Sequence, residues 1–327
     1  RDWISDVCSP DLFILTATID QIGRFLEPAP AKNVLVASLD ERAVSLKDLP
    51  AADRAAFVAA AEKTVTVQIV PAFQRVRALL QEQLPRATDA AGLSALPGGD
   101  AAYANALRRN TTTSLSPAEI HELGLKEVAR IESQIDVLLR ELGYADGTIV
   151  ERMRQLNAAH QPPASPDPRP ELLARYTSIL RDAEKRAAAV FDLRPHAPCE
   201  VRREPPFTEK TAAAHYTGPA HDGTRPGIFW APLPGPTFNV TQMRTLVYHE
   251  AIPGHHFQIA LQSEMESLPR FRRDRVFGGL SAHSEGWALY AERLAAENNW
   301  YDGDKLGAIG QLNSELFRAR RLVVDTG

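Results

Sequence analysis

Residues 246–258 read LVYHEAIPGHHFQ and set four ionisable side chains, His249, Glu250, His255 and His256, among apolar neighbours. Adjacent His and Glu open the pattern H-E-x-x-H, in which two histidines on one helical face bind zinc and the glutamate activates water. The pattern is interrupted, because the position one turn beyond His249 is Pro253, which cannot coordinate. On an ideal helix His255 turns away from His249, while His256 returns to the same azimuth about 10 Å further along the axis. Zn–N bonds of about 2.0–2.1 Å cannot span that gap. A metal site therefore demands a distorted helix. Pro253 lacks a backbone donor and Gly254 admits unusual dihedrals, so the sequence supplies the cause. We read AIPG as a spacer bulged in the π sense. That favours His255 as second ligand, with His256 facing substrate or backing the ligands, and the spacing leaves the choice between them open.

A zinc site with an open position for water needs a third protein ligand, and a carboxylate from a neighbouring helix is one solution. Residues 283–292, HSEGWALYAE, offer Glu285. From Glu285 one helical face continues through Ala288, Leu289 and Glu292, whereas Trp287, Tyr290, Ala291 and Leu294 pack elsewhere. His283 precedes Glu285 by two residues and projects to another side, which fits a supporting role better than ligation.

HEAIPGHHFQ, EGWALYAE and RARRLVVDTG together resemble a large bacterial family labelled a domain of unknown function and grouped with the zincin metallopeptidases. SLSPAEIHELGLKEVARI and the segment from EVRREPP to GIFWA extend the resemblance over roughly residues 100–327. It implies one zinc ion on His249, Glu285 and either His255 or His256, with Glu250 as general base. The implied fold is mainly α, with a few short strands near the active site, in a zincin-like (gluzincin-type) architecture. Such chains continue past VVDTG with further helix, where this sequence stops at Gly327.

The implied chemistry is metal-assisted hydrolysis of a peptide or other small amide, with Glu250 taking a proton from water and delivering it to the leaving amine. The substrate oxyanion needs a donor, for which Tyr290, His256, His283, Tyr301 and Tyr216 are available. Asp325 is a candidate to orient a ligand histidine, and one of Arg318, Arg320 and Arg321 a candidate to reach the site. The triplet His283-Ser284-Glu285 imitates a deaminase signature but lacks its P-C-x-x-C partner. A non-catalytic metal-binding scaffold, or a zinc hydrolase of another amide or ester, is the alternative.

The 327 residues are 44% hydrophobic, enough for one large or two ordinary domains. A net charge of −4 from 37 basic and 41 acidic residues gives no footprint for nucleic acid or anionic membrane. No uninterrupted run of 18 apolar residues is present, so no membrane span is expected, and LFILTATI at 12–19 is too short for a leader. The chain opens on Arg1, leaving room for an upstream signal peptide. The compartment, periplasmic, secreted or cytoplasmic, is not legible. Cys8 and Cys199 show no framework spacing.

Along the chain, residues 1–30 are poorly patterned, and 51–82 read as two helices or one broken near Pro71. SPAE at 116–119 is a capping box opening a helix that stops at Gly143, and this helix carries a second His–Glu pair, His121–Glu122, without a following ligand. QPPASPDPRP (161–170) is an extended connection that divides a helical part, 1–160, from a catalytic part, 161–327, with one continuous domain as the alternative. PCEVRREPP, AAAHYTG and PGIFWAP read as strands; GIFWA is the candidate edge that holds substrate backbone, with a plain core strand as the stronger reading. Asn239 and Gln242 suggest a capping box that sets His249 two to three turns inside its helix. The basic cluster RFRRDR (270–275) reads as a solvated face, with a site for a peptide carboxylate as the alternative.

Overall fold

The computed structural model describes residues 12–46, 48–89, 92–205, 208–209 and 212–327. It is mainly helical with one small sheet, and the chain divides into two compact units, the first ending at Asn105 and the second running from Ala106 to Gly327. The division expected at 160/161 therefore falls inside the second unit. Cys8 lies outside the described residues.

In the first unit α1 (Leu12–Leu26) occupies much of the stretch read as unpatterned; its Leu15, Ile19 and Ile22 recur at helical spacing and are buried. Asn33 caps α2 (Val34–Ser45), accepting from the Leu35 N–H at 3.1 Å while its amide donates to the Phe25 carbonyl at the end of α1, also at 3.1 Å. Helix α3 (Ala51–Thr64) does not break at Pro71. It runs through a π turn, Val65–Ile69, into α4 (Val70–Gln83), with the Val70 N–H bonded to the carbonyl five residues back. The wider turn absorbs the bond that the proline cannot make. By length and composition Ala51–Arg86 is also long and apolar enough to cross a membrane, contrary to expectation, although Glu62 and Lys63 sit within it.

Helix α5 (Gly99–Thr111) contains the boundary between the units; in the second unit, helix α6 (Pro117–Glu141) starts at the expected capping box, with Ser116 and Glu119 each bonding the other's backbone. Gly143, at φ +90°, follows its end. Helix α6 packs along α13 (Lys305–Thr326), and α7 (Ile149–Ala159) closes the same core, in which Ile131, Ile135, Leu139, Leu156 and Ile309 are fully buried. Each such side chain contributes about 1.5–3 kcal/mol. Gly124 lets the two long helices approach, since a Cβ there would lie 2.9 Å from Val323 Cγ2.

A second core joins α8 (Arg169–Val190), the sheet, and α9 (Met243–Glu250), around Leu180, Phe229, Val247 and Tyr248. The three expected strands form: β1 (Cys199–Arg203), β2 (His215–Thr217) and β3 (Gly227–Ala231), in the order β1-β3-β2. Strand β3 runs parallel to β1, pairing Cys199 with Gly227, and antiparallel to β2, pairing Tyr216 with Phe229. GIFWA is thus the central strand, with both sides paired and Phe229 fully buried. The edge beside the histidines is HYT instead. Its polar composition suits an edge, as the apolar run suits the centre.

Candidate metal centre

The stretch that decides the site is two helices, not one bulged helix. Helix α9 ends at Glu250, Ala251 leaves helical geometry (φ −115°, ψ −95°), and α10 (His255–Glu264) starts afresh at the second histidine. Glycine is required at 254, where a Cβ would stand 1.8 Å from the His249 carbonyl oxygen. The break also corrects the depth of the site, since His249 and Glu250 close α9. Nor does Asn239 cap that helix, which begins at Met243. Asn239 instead donates to the Gln242 side chain at 2.7 Å and accepts from the Thr241 hydroxyl at 2.8 Å.

The turn brings the two imidazoles together with Glu285 of α12 (Ser281–Glu297). His249 Nε2 lies 3.4 Å from one Glu285 oxygen and His255 Nε2 lies 3.5 Å from the other. One ligand atom from each of the three falls within 4.8 Å of the others. Donors bound to a tetrahedral ion at about 2.1 Å stand about 3.4 Å apart, so two imidazole nitrogens and a carboxylate at this spacing fit zinc. The histidines are buried, at 4% and 8% exposure, while the Glu285 side chain keeps 57%, so the set is closed behind and open in front.

On the face of α12 that carries Glu285, Glu292 lies two turns on, with no exposure, and its Oε1 is 2.7 Å from His249 Nδ1. A carboxylate there fixes the proton on Nδ1 and leaves Nε2 as the ligating nitrogen. The carboxylate that orients His249 is thus Glu292. Two groups of α13 support Glu292: the Ser314 hydroxyl donates to it at 3.2 Å, and the Arg318 guanidinium, 3.7 Å away, donates to Ser314 Oγ at 2.7 Å. Burial opposes charge on His249, but its bonds to Glu285 and Glu292 prevail and raise it to about 9. Burial lowers His255 to about 4, helped by the charge of His249, which keeps it a neutral donor. Burial likewise pushes Glu250 up to about 7, against the pull of His249. Glu250, His215, Tyr216, Arg275 and Arg318 share with His249, His255 and Glu285 a cavity of about 360 Å³.

Residues 4–327 match the family described as "Bacterial protein of unknown function (DUF885)". The chain belongs to this family. A solved protein described as "the putative lipoprotein from Colwellia psychrerythraea" superposes on this DUF885 chain with a TM-score of 0.91 at 34% identity, covering 97% of this chain and 55% of its own. A second, described as "a putative lipoprotein of unknown function from Shewanella oneidensis", shares the fold at a TM-score of 0.63 and 16% identity, covering 98% of this chain and 57% of its own. The chain spans little more than half the length of these relatives. None of the curated proteins matches it.

The remaining residues singled out in the DUF885 sequence divide clearly. His256 is buried and does not face the ligand set: Nε2 donates to the Ala197 carbonyl at 3.1 Å, so Nδ1 accepts from the Tyr216 hydroxyl at 2.8 Å. With both nitrogens engaged, it anchors the start of α10, hence His255, to the sheet. Gly227 makes room for that bond, because a Cβ would stand 2.5 Å from both partner atoms. Tyr290 is half exposed against Trp287 and does not line the cavity, and Tyr301 is buried against the Thr245 hydroxyl. His283 also lies outside the cavity, its carbonyl accepting from Gln258 at 3.4 Å. Of the three arginines considered, Arg318 reaches the site; Arg320 pairs with Glu132, and Arg321 lies over the Phe317 ring. His215 and Arg275 were not singled out individually. Arg275 sits in the cluster read as a solvated face, and nothing in the sequence marks His215.

Proposed function

We propose that this chain is the metal-binding part of a zinc-dependent hydrolase of peptide bonds, on a zincin-like, gluzincin-type plan. The observation that carries the reading is the convergence of His249, His255 and Glu285 within 4.8 Å beside Glu250 in one open cavity. A closed structural zinc site would need a fourth protein ligand; three ligands next to a non-ligating glutamate describe an open one. A zinc ion held there would supply Lewis-acid polarisation and a more acidic bound water.

The protein groups have separate tasks. His249, His255 and Glu285 hold the ion, and Glu292, backed by Ser314 and Arg318, fixes the ring of His249. The Glu250 carboxylate accepts a proton from water and returns it to the leaving nitrogen. His215 and Arg318 are the donors in reach of a substrate carbonyl. Strand β2 lines the cavity and is an edge, so an extended peptide is held there and not on β3. Because the solved relatives are described as lipoproteins, we place the protein outside the cytoplasm, extracellular or membrane-associated.

The test is elemental analysis of the wild type and Glu250→Gln, with a mixed peptide library as substrate. About one zinc per chain in both, with cleavage by the wild type alone, is expected. Absence of zinc under metal-replete conditions would reject the reading.

A further inference from the structure

Two arginines, Arg318 and Arg275, line the cavity in unequal circumstances, and Arg275 also lines the adjoining cavity beside Gly279. Arg318 is committed, donating to the Ser314 carbonyl at 3.2 Å and hydroxyl at 2.7 Å with Glu292 at 3.7 Å. Arg275 is not. Among the described residues no carboxylate pairs with it, whereas Arg270 and Arg273 both pair with Asp274, at 2.9 Å and 3.7 Å. Arg275 follows α11 (Arg270–Arg273) with φ +52°, an uncommon conformation for a residue with a side chain. Its guanidinium lies against Gly279, where a Cβ would stand 2.2 Å from Nη2. A half-buried guanidinium that lines a cavity without an internal counter-ion is a ready partner for an anion from outside, which its planar fork binds in bidentate fashion. At about 360 Å³ the cavity is near the small end of ligand pockets, roughly 300–1,000 Å³, and suits a short substrate.

We propose that Arg275 determines specificity by receiving the terminal carboxylate of a short peptide, so that the bond broken lies next to the C-terminus. This rests on the hydrolase reading for the location of the broken bond, while the carboxylate site itself can be tested without turnover.

The probes are acetyl-Ala-Ala as free acid, acetyl-Ala-Ala amide and acetyl-Ala-Glu amide, titrated calorimetrically into zinc-loaded Glu250→Gln protein. The free acid is expected to bind at least about tenfold tighter than its amide. Arg275→Gln in that background brings the two within about twofold, Arg275→Lys recovers part of the preference, and circular dichroism verifies the fold of each. In the otherwise wild-type chain, Arg275→Gln raises KM for the free acid more than it lowers kcat. Equal binding of acid and amide, no binding of either, or a preference that survives Arg275→Gln would overturn the assignment. Binding of the Glu amide as tight as the free acid would also overturn it, by showing recognition of a side chain. A preference for the free acid in a protein whose wild type cleaves nothing would uphold the carboxylate site and reject the hydrolase. Equal cleavage of acid and amide would do the reverse.

Discussion

The chain carries two His–Glu pairs, and among the described residues only one stands in a cluster that could hold a metal ion. His121–Glu122 stands in the first turns of α6, with His121 half-buried and 3.2 Å from the Thr326 hydroxyl, and Glu122 exposed. His249–Glu250 stands at the end of α9, both residues buried, among His255, Glu285 and Glu292. The dipeptide is the same, and both pairs lie in α-helix, one near a start and the other at an end. What differs is what other elements bring to it: a broken helix returns a second imidazole, α12 supplies two carboxylates on one face, and α13 backs the nearer one. A ligand constellation is a property of converging elements, and the pair is only its most visible fragment.

The largest expected contrast is between the two glutamates. Glu250→Gln should lower the rate of peptide cleavage by about 10²–10⁴-fold, the range for a general base, whereas Glu122→Gln should leave it within about twofold. Comparable losses in steady-state assays of both variants would erase the distinction. A smaller effect should come from the support of the ligands: Glu292→Gln is expected to weaken zinc binding by about 10–100-fold in chelator competition, while Thr326→Val beside His121 changes it not at all. Smallest is the contribution of the first pair to the fold. His121→Ala should cost about 0.5–1 kcal/mol in urea unfolding, the worth of one partly buried hydrogen bond. A larger loss, or any loss of bound zinc, would give this pair a role that its surroundings do not suggest.

Much of this was legible beforehand. The capping box of Ser116 and Glu119, the three strands, and the face shared by Glu285 and Glu292 follow from local spacing and side-chain chemistry, and the structure keeps them; it also brings His255 beside His249 and Glu285. The errors arose where local rules meet tertiary context. Pro253 and Gly254 announce a distortion, but whether a helix bulges or ends depends on what receives the next segment. Here Trp287 of α12 donates to the Pro253 carbonyl at 2.8 Å, which satisfies a turn outside any helix. His256 looked catalytic because it adjoins a ligand, yet its partners, Ala197 and Tyr216, lie 59 and 40 residues away. Tyr290 failed for a simpler reason: five residues beyond Glu285 it faces almost the opposite side of α12.

The packing of α6 against α13 bears on how the site assembles. Its ligands lie between 249 and 285, so they can meet through short loops, whereas the groups behind Glu292 sit on a helix whose partner is far upstream: Arg130 of α6 pairs with Glu315 of α13 across 185 residues. Closing so long a loop costs entropy before its contacts are made, which puts that docking late in folding. His249, His255 and Glu285 would then come together before α13 docks behind them, so that a metal ion bound at the proposed site during synthesis would act as a template for that helix and not as a guest in a finished pocket.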